Sequence, residues 1–326
     1  MSAIRVGVAG LGQLSSEVHL PNLRSIPGVS ITALADPIEA ARSRALTQVP
    51  DAAVFSGVEE LLVSGKIDAL LIATPTMDHY RHALLAVEAR IPFYIEKPLA
   101  SELTEGSQLC EAARRANVVG TIGFNYRFHP AVPRVKASLL GAHRVSSRFT
   151  IAPRELPLWK QTRATGGGVL LDLASHHFDL LPYLLRSPVK TVSSTITSER
   201  TEQDCAQVGL EFENHVKADC LFSFCRDEQD VIAIETVNGR IEHNRYAPLS
   251  YPLWPIDGFY NYLLERRRSP WKEVSFHRSL TAWLDSVRLK QPSPVPLTAG
   301  LDVLRIISAA EQSSAQGGAS IAVDSI

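Results

Sequence analysis

Three short stretches of the sequence carry residue types that together could do chemistry on a hydroxyl group. Glu96-Lys97-Pro98 places an ammonium beside a carboxylate, and Asp172 stands four residues before His176. A positioned lysine can hydrogen-bond a reacting oxygen, and an imidazole oriented by a carboxylate can accept a proton. Gly10-Leu11-Gly12 is typical of a turn that binds a dinucleotide. Together these stretches predict hydride transfer between a carbinol and a nicotinamide, with Lys97, Asp172 and His176 as catalytic residues.

Each catalytic candidate also has a simpler interpretation. Lys97 would by itself be a surface lysine at the end of a strand. Asp172 and His176 would be a helix-surface pair, worth about a few tenths of a kcal/mol. With Asp179 on the same face they would resemble metal ligands. We predict no metal site, because Lys97 already supplies the polarising charge. His177 is interpreted as a supporting or core histidine.

The glycine turn lies in the context that a dinucleotide site requires, between a strand and a helix. Gly10 permits a tight turn, and Gly12 lets the backbone approach a pyrophosphate that the helix N-terminus stabilises. Gln13 and Leu14 continue the turn, and the small Ser15 stands where a third glycine is usual. The turn therefore predicts a dinucleotide site that tolerates this departure.

Asp36 follows the next strand and predicts the choice of cofactor. A carboxylate at this position suits the ribose hydroxyls of NAD and repels the extra phosphate of NADP. Arg42 and Arg44 would weaken that preference, unless they form only a solvated helix face. We predict NAD(H) as the cofactor, with NADP(H) as the weaker alternative.

Apolar strand patterns alternate with helical patterns over the first part of the chain, which predicts a doubly wound α/β sheet of parallel strands. The predicted strands are residues 4–9, 30–35, 53–55, 69–73, 92–95 and 118–123, and the predicted helices are 15–26, 38–47, 58–64, 77–90 and 102–116. Glu96-Lys97-Pro98 then closes a strand at its carboxyl end, the edge at which cofactors bind in such sheets.

Length and composition limit the class of protein. The 326 residues predict two domains, and 33 basic against 34 acidic residues give no charge excess for binding nucleic acid or an anionic membrane. The basic run Arg266-Arg267-Arg268 is interpreted as a solvated turn. The four cysteines match no zinc spacing, and no signal peptide or membrane-spanning run is recognised. We expect a cytoplasmic protein.

Several motifs in this order resemble the Gfo/Idh/MocA oxidoreductases, the glucose–fructose oxidoreductase and inositol dehydrogenase group. The resemblance spans nearly the whole chain and rests on Gly10-Leu11-Gly12, His19-Leu20-Pro21, Ala73-Thr74-Pro75, His79, Glu96-Lys97-Pro98, Gly123-Phe124-Asn125-Tyr126-Arg127-Phe128, Gly166-Gly167-Gly168 and Asp172-x-x-x-His176-x-x-Asp179. One departure is Thr76, where the family often has Asn, so the local helix cap is expected to differ.

The resemblance implies a Rossmann domain over residues 1–123 and an α+β domain over residues 124–326. The second domain would be an open, mostly antiparallel sheet with helices over one face, and its other face would form a homodimer or homotetramer. The sequence agrees, because residues 143–152, 190–198, 206–213, 216–224 and 231–237 have strand patterns. A proline-rich connection, 292–296, precedes an amphipathic helix from Leu301 onward that would pack back on the body.

The resemblance also implies roles for individual residues. Lys97, Asp172 and His176 take the catalytic positions. The implied cofactor-binding residues, added to Gly10, Gly12, Gln13, Leu14 and Asp36, are Thr74, Pro75, His79, Glu96, Lys97 and Pro98. The implied substrate-binding residues are Arg127, Trp159, Lys160 and Asp179.

These inferences support an NAD(H)-dependent oxidoreductase acting on a sugar, sugar derivative or cyclitol. Two alternatives stay open. One is a lyase or glycosidase that uses transient oxidation, which would need a further acid/base group near the leaving group. The other is a catalytically idle regulator that binds NAD or a sugar, although such a relative would be expected to lose the lysine or the histidine.

Overall fold

The computed structural model describes residues 3–244 and 274–323 of the chain. Contacts between Cα atoms divide the chain into two compact units. Among the described residues, 3–128 and 274–301 form the first unit, and 129–244 and 302–323 form the second. Residues 274–301 belong to the first unit, because the helix Val274–Leu289 packs into the core of that unit. The boundary after residue 123 stays a prediction.

The helices of the described residues are distributed over both units. The α-helices are α1 (Leu20–Ser25), α2 (Glu39–Leu46), α3 (Val58–Val63), α4 (Thr76–Glu88), α5 (Leu103–Ala116), α6 (Val132–Ala137), α7 (Ser175–Leu185), α8 (Val274–Leu289) and α9 (Leu297–Ala315). Two π-helical turns, Ser15–His19 and Leu170–Ala174, run directly into α1 and α7, and short 3₁₀ turns cover Asn125–Phe128, Leu158–Lys160 and Arg163–Thr165.

The first unit is built on a six-stranded parallel sheet. Its strands are β1 (Ile4–Ala9), β2 (Val29–Ala35), β3 (Ala53–Phe55), β4 (Ala69–Ile72), β5 (Phe93–Ile95) and β6 (Gly120–Ile122). Their spatial order, β3-β2-β1-β4-β5-β6, reverses direction between β1 and β4. Cofactors bind beyond the carboxyl ends of the strands at such a reversal.

The core of the first unit explains its strand sequences. All four residues of β4 are fully buried, as expected for a strand covered on both faces. Helix α8 packs into the same core, where the ring of Trp283 lies 5.5 Å from the ring of Tyr94. Helix α5 ends at Asn117, whose φ of 54° gives the left-handed cap that asparagine tolerates.

The second unit is built on a seven-stranded mixed sheet. Its strands are β7 (Arg144–Thr150), β8 (Val189–Thr197), β9 (Cys205–Phe212), β10 (Lys217–Ser223), β11 (Gln229–Thr236), β12 (Gly239–Asn244) and β13 (Ile321–Ala322). The spatial order is β12-β11-β7-β10-β9-β8-β13, and only the β7–β10 pair is parallel among these described strands.

One face of this sheet is covered by helices. Phe178 of α7 packs edge-on against Phe222 of β10, with ring centroids 5.3 Å apart. At the other end of the sheet the amide of Ser194 in β8 donates to Ser313 Oγ of α9 at 2.8 Å. The opposite face carries exposed charged side chains, including the ion pair between Arg144 and Asp219 at 2.9 Å.

The fold-class prediction is confirmed. Every predicted strand of the parallel sheet lies within two residues of its structural counterpart at each end, and so does every predicted helix but one. The predicted helix 15–26 is divided into the π-turn Ser15–His19 and α1. The sequence patterns missed β12, which is a short polar edge strand, and β13, which has two residues. The terminal helix begins at Leu297, directly after Pro296, rather than at Leu301.

Two further predictions concern charge and membranes. The basic run 266–268 lies outside the described residues. Among the described helices, none combines the length and the apolar character that crossing a membrane requires.

Candidate functional site

The glycine turn of the first unit connects β1 to the π-helical turn Ser15–His19. Gly10 has a φ of +85°, and a Cβ there would lie 2.5 Å from the carbonyl oxygen of Ala73. Ser15 is buried, and its Oγ donates to the carbonyl of Gly10 at 2.5 Å. Ser15 therefore closes the turn with a hydrogen bond that a third glycine could not make.

Gly12 differs from Gly10, because a Cβ at Gly12 would meet no protein atom within 4 Å. The fold itself does not require glycine at this position. Gln13 is exposed and its Nε2 donates to Glu17 Oε1 at 3.1 Å, and Leu14 is partly exposed. The backbone at Gly12 is thus open to a ligand at the start of a helical segment, which fits a bound pyrophosphate.

Asp36 lies beside the glycine turn, as its position after β2 predicts. Its Oδ2 accepts the amide of Leu11 at 2.7 Å, and its Oδ1 accepts the amide of Ile38 at 2.8 Å. The guanidinium of Arg42 donates to the carbonyl of Asp36 at 2.7 Å, and that of Arg44 donates to the carbonyl of Leu11 at 3.3 Å. Both arginines are thus bonded to backbone carbonyls of this corner.

A second group of predicted cofactor residues meets around His79. Its Nδ1 lies 2.7 Å from the carbonyl oxygen of Pro98, and its Nε2 lies 2.9 Å from that of Thr74. Burial lowers the pKa of His79, although both carbonyl contacts favour the protonated form. Pro75 directly precedes α4, which begins at Thr76 without a side-chain cap. His79 therefore ties the loop after β4 to the loop after β5.

Glu96 and Lys97 follow β5 at the carboxyl edge of the parallel sheet. Lys97 is partly exposed, whereas Glu96 is 5% exposed and accepts the amide of Lys97 at 3.2 Å. Glu96 Oε1 also lies 3.0 Å from Nε2 of the fully buried His19, without the alignment of a hydrogen bond. Arg127 is partly exposed in the 3₁₀ turn after β6.

The second unit contains the other catalytic candidates. Lys160 Nζ donates to Asp172 Oδ2 at 2.8 Å, and it lies 5.2 Å from the ring centre of Trp159. Within the glycine triplet 166–168, Gly167 is needed for packing, because a Cβ there would overlap the carbonyl of Lys160. The structure therefore joins Lys160 of the predicted substrate set to Asp172 of the catalytic set, and Lys160 also lies beside Trp159.

The segment that carries Asp172 and His176 is not one continuous α-helix. Leu170–Ala174 forms a π-turn, and α7 follows from Ser175. The prediction that Asp172 and His176 stand at i, i+4 of one α-helix is therefore modified, because Asp172 lies in the π-turn. Such π-turns are frequent at functional sites. Between Gly166 and Leu181, Asp172 and His176 are the two residues that are not buried. Asp179 is only 3% exposed.

His177 belongs to a buried group that the sequence patterns did not reveal. Its two ring nitrogens contact Ser147 and Asp230, which lie 30 and 53 residues away along the chain. No local motif connects such distant residues, and the only signal was a second histidine beside His176. Among the described residues, no cluster of histidine, cysteine and acidic side chains has the arrangement of a metal site.

Two family models match this chain. Residues 4–124 match the model described as "Oxidoreductase family, NAD-binding Rossmann fold" (GFO_IDH_MocA), and residues 140–242 match the "GFO/IDH/MocA C-terminal domain". The chain belongs to the Gfo/Idh/MocA family. The predicted resemblance is thereby confirmed. The protein is an oxidoreductase with NAD(H) as its cofactor, and the turn that is open at Gly12, with Asp36 beside it, fits this cofactor.

Similar proteins include an uncharacterized oxidoreductase and two named dehydrogenases. The chain is 26% identical to "Uncharacterized oxidoreductase YrbE" of Bacillus subtilis (strain 168), over 96% of this chain and 95% of the relative. It is 26% identical to "D-glucoside 3-dehydrogenase" of Escherichia coli (strain K12), over 64% of this chain and 62% of that protein. It is 29% identical to "scyllo-inositol 2-dehydrogenase (NAD(+))" of B. subtilis, over 58% and 56%. The chain thus spans less than two thirds of these two enzymes.

A solved structure supports the fold of this family member. The GenD2 protein from gentamicin A biosynthesis, in complex with NAD, superposes with a TM-score of 0.86 at 21% identity, covering 100% of this chain and 97% of GenD2. At this identity the likeness shows the fold alone.

Proposed function

We propose that the protein is a dehydrogenase that moves hydride between NAD(H) and a secondary hydroxyl or ketone of a sugar, sugar derivative or cyclitol. The observation that carries the proposal is the partly exposed pair Asp172 and His176 in a segment, 166–181, that is otherwise buried. A carboxylate and an imidazole exposed in this way are suited to proton transfer. The named activities of the glucoside and inositol dehydrogenases support the substrate class.

In the proposed mechanism His176 takes the proton of the substrate hydroxyl. Asp172 orients and stabilises the imidazolium that results, and the ammonium of Lys160 donates to this carboxylate at 2.8 Å, which fixes its position. Lys97 donates a hydrogen bond to the reacting oxygen and stabilises negative charge as it develops. NAD, when held at Gly10, Gly12 and Asp36, would supply the hydride acceptor of the reaction.

Other predicted residues receive binding roles in this proposal. Gly12, Gln13 and Leu14 provide the backbone for the pyrophosphate, and Asp36 contacts the adenosine ribose and favours NAD over NADP. The loops beside the nicotinamide contain Thr74, Pro75, Glu96 and Pro98, and His79 of α4 connects them. Arg127, Trp159 and Lys160 contact the substrate, and the buried Asp179 acts on it only through its neighbours.

We further propose that the enzyme works in the cytoplasm as a homodimer or homotetramer, associating through the open face of the seven-stranded sheet. The free thiols of Cys205 and Cys220 suit a reducing compartment. The exposed Arg144–Asp219 pair offers both signs of charge to a second copy of the face. Sedimentation with and without an Arg144→Glu substitution tests the interface.

The first experiment titrates the protein with NADH and then NADPH, following nicotinamide fluorescence, and screens sugars and cyclitols for a change at the NADH absorbance band. We expect NADH to bind more tightly than NADPH and at least one polyol to be oxidised. Product formation without net NADH would instead indicate the transient-oxidation alternative. NADH binding without turnover of any polyol or ketone would contradict the proposed dehydrogenase.

A further inference from the structure

The second unit contains a buried polar array made of Asp230, His177 and Ser147. His177 Nε2 lies 2.9 Å from Asp230 Oδ1, and His177 Nδ1 lies 2.6 Å from Ser147 Oγ. Ser147 and His177 are 0% exposed, and Asp230 is 3% exposed. The three residues come from β7, α7 and β11, so the array connects the helix to two neighbouring strands of the sheet.

The positions of the protons on the His177 ring determine which atom donates in its hydrogen bonds to Asp230 and Ser147. A carboxylate only accepts, so Nε2 carries a hydrogen and donates to Asp230. Ser147 then either donates to Nδ1 of a neutral ring or accepts from Nδ1 of a charged ring. Bonds at both nitrogens fix the rotation of the His177 ring in either case, because the two acceptor or donor atoms lie on different strands.

The array has the residue types of a Ser-His-Asp hydrolase triad, but a substrate has no access to its serine. Ser147 is fully buried, so no substrate can reach its hydroxyl. Burial also raises the pKa of the adjoining Cys220 thiol, which bonds to Ser147, to about 12. Neither side chain is therefore available as a nucleophile.

Attachment of α7 to the sheet does not by itself require these polar groups. The helix already buries Phe178 and Leu181, and Phe178 packs against Phe222. Buried hydrogen-bonded charges are often no more stabilising than well-packed apolar side chains of similar volume. The array instead fixes the orientation of the turn of α7 that carries His177.

That helix turn also carries His176. The ring of Phe149 stacks on His177 at 5.5 Å and 28°, and it contacts His176 at 5.9 Å and 47°. The π-turn Leu170–Ala174 ends immediately before this point. A change in the rotation of His177 would therefore be transmitted to His176 through the peptide bond and through the shared Phe149 ring.

We propose that Asp230, His177 and Ser147 are positioning residues that fix the direction of the His176 imidazole. The proposal rests on the proposed function only for the role of His176 as proton acceptor. The direction of its ring can be measured independently of activity.

The test compares Asp230→Ala and Ser147→Ala, which each remove one bond to His177, with Asp230→Asn, which keeps an acceptor. Ser313→Ala is the matched control, because Ser313 is equally buried and bonds to β8 and to the carbonyl of Ala319. The readouts are NMR signals of the labelled His176 ring, assigned with His176→Asn, together with thermal unfolding, NADH affinity and kcat.

We expect Asp230→Ala and Ser147→Ala to shift or broaden the His176 signal. We expect kcat to fall about 10-fold or more, since a small misplacement of a catalytic group can cost about 100-fold, with KM and NADH affinity nearly unchanged. Asp230→Asn should recover most of the loss, and Ser313→Ala should destabilise the fold without moving the His176 signal.

The outcomes separate this proposal from the proposed function. An unchanged His176 signal in folded Asp230→Ala and Ser147→Ala would overturn the positioning role, whatever the activity. If Asp230→Ala fails to fold, Ser147→Ala and Asp230→Asn decide the question. If the native protein oxidises no polyol, the proposed function fails while the NMR comparison still tests the array.

Discussion

In the part of the chain that the structure describes, His177 of the second unit and His19 of the first are each buried beside a carboxylate, and the two pairs differ in how well they are bonded. His177 is bonded at both nitrogens, to Asp230 at 2.9 Å and to Ser147 at 2.6 Å. His19 lies 3.0 Å from Glu96 without hydrogen-bond alignment, and its Nδ1 has no partner among the residues that the structure describes. Both pairs adjoin a catalytic candidate, because Glu96 precedes Lys97 and His177 follows His176.

The difference shows how completely each unit hydrogen-bonds the buried polar groups next to its catalytic candidate. In the second unit a fully bonded array sits behind the helix turn that carries His176. In the first unit the polar groups behind Lys97 are incompletely matched, and the glycine turn leaves space at Gly12. We therefore expect substitutions in the first unit to change ligand binding or turnover with little loss of stability, and substitutions around His177 to lower stability.

Lys97→Met provides the largest expected effect. Loss of the ammonium should lower kcat about 100-fold to 10,000-fold, as for removal of other positioned acid–base groups. NADH affinity and thermal stability should change little, because Lys97 is partly exposed beside a loosely bonded pair. Steady-state kinetics and fluorescence titration measure these quantities.

Lys66→Met is the matched control for this variant, because Lys66 is an exposed lysine of the same unit. It should leave kcat unchanged. Unchanged turnover in Lys97→Met would remove Lys97 from the mechanism, and a large drop in its unfolding temperature would contradict the proposed contrast between the two units.

Paired His→Phe substitutions test the contrast directly. His177→Phe removes both bonds and deprives the buried Asp230 of its imidazole, which should lower the free energy of unfolding by about 3 kcal/mol. His19→Phe removes only a poorly aligned contact and should cost about 1 kcal/mol or less. Chemical denaturation measures both changes, and equal losses would show that the two pairs are energetically alike.

Gly12→Ala and Gly10→Ala separate binding from folding within the glycine turn. A Cβ at Gly12 meets no protein atom within 4 Å, so the alanine should fold normally and weaken NADH binding about 10-fold or more, or about 1.4 kcal/mol. A Cβ at Gly10 would lie 2.5 Å from the carbonyl of Ala73 at a φ of +85°, so that variant should lose stability. Native NADH affinity in Gly12→Ala would place the pyrophosphate elsewhere.

The sequence predicts the parts of this molecule that depend on local patterns. Continuous apolar runs and the Gly10–Gly12 turn predicted the parallel sheet and its cofactor edge, because strand burial and tight turns are determined by neighbouring residues. The contacts of His177 with Ser147 and Asp230 were not predictable, since they depend on the pairing of β7 with β11. The π-turn before α7 was missed for a related reason, because the helical spacing of apolar residues does not distinguish a π-turn from an α-turn.

The smallest expected effect concerns pH and a third buried histidine, His79, which lies between two carbonyls of the first unit rather than beside a carboxylate. Burial lowers its pKa from the ordinary value of 6.5, so the folded protein resists a proton that the unfolded chain accepts. The stability contributed by neutral His79 is complete above pH 6.5 and is lost as the pH falls below it. We therefore expect the unfolding temperature to fall on acidification, less steeply in His79→Gln. His143→Gln, at an exposed histidine of the second unit, should keep the native slope. A native slope in His79→Gln would show that His79 takes up no additional proton on unfolding, which would contradict the lowered pKa.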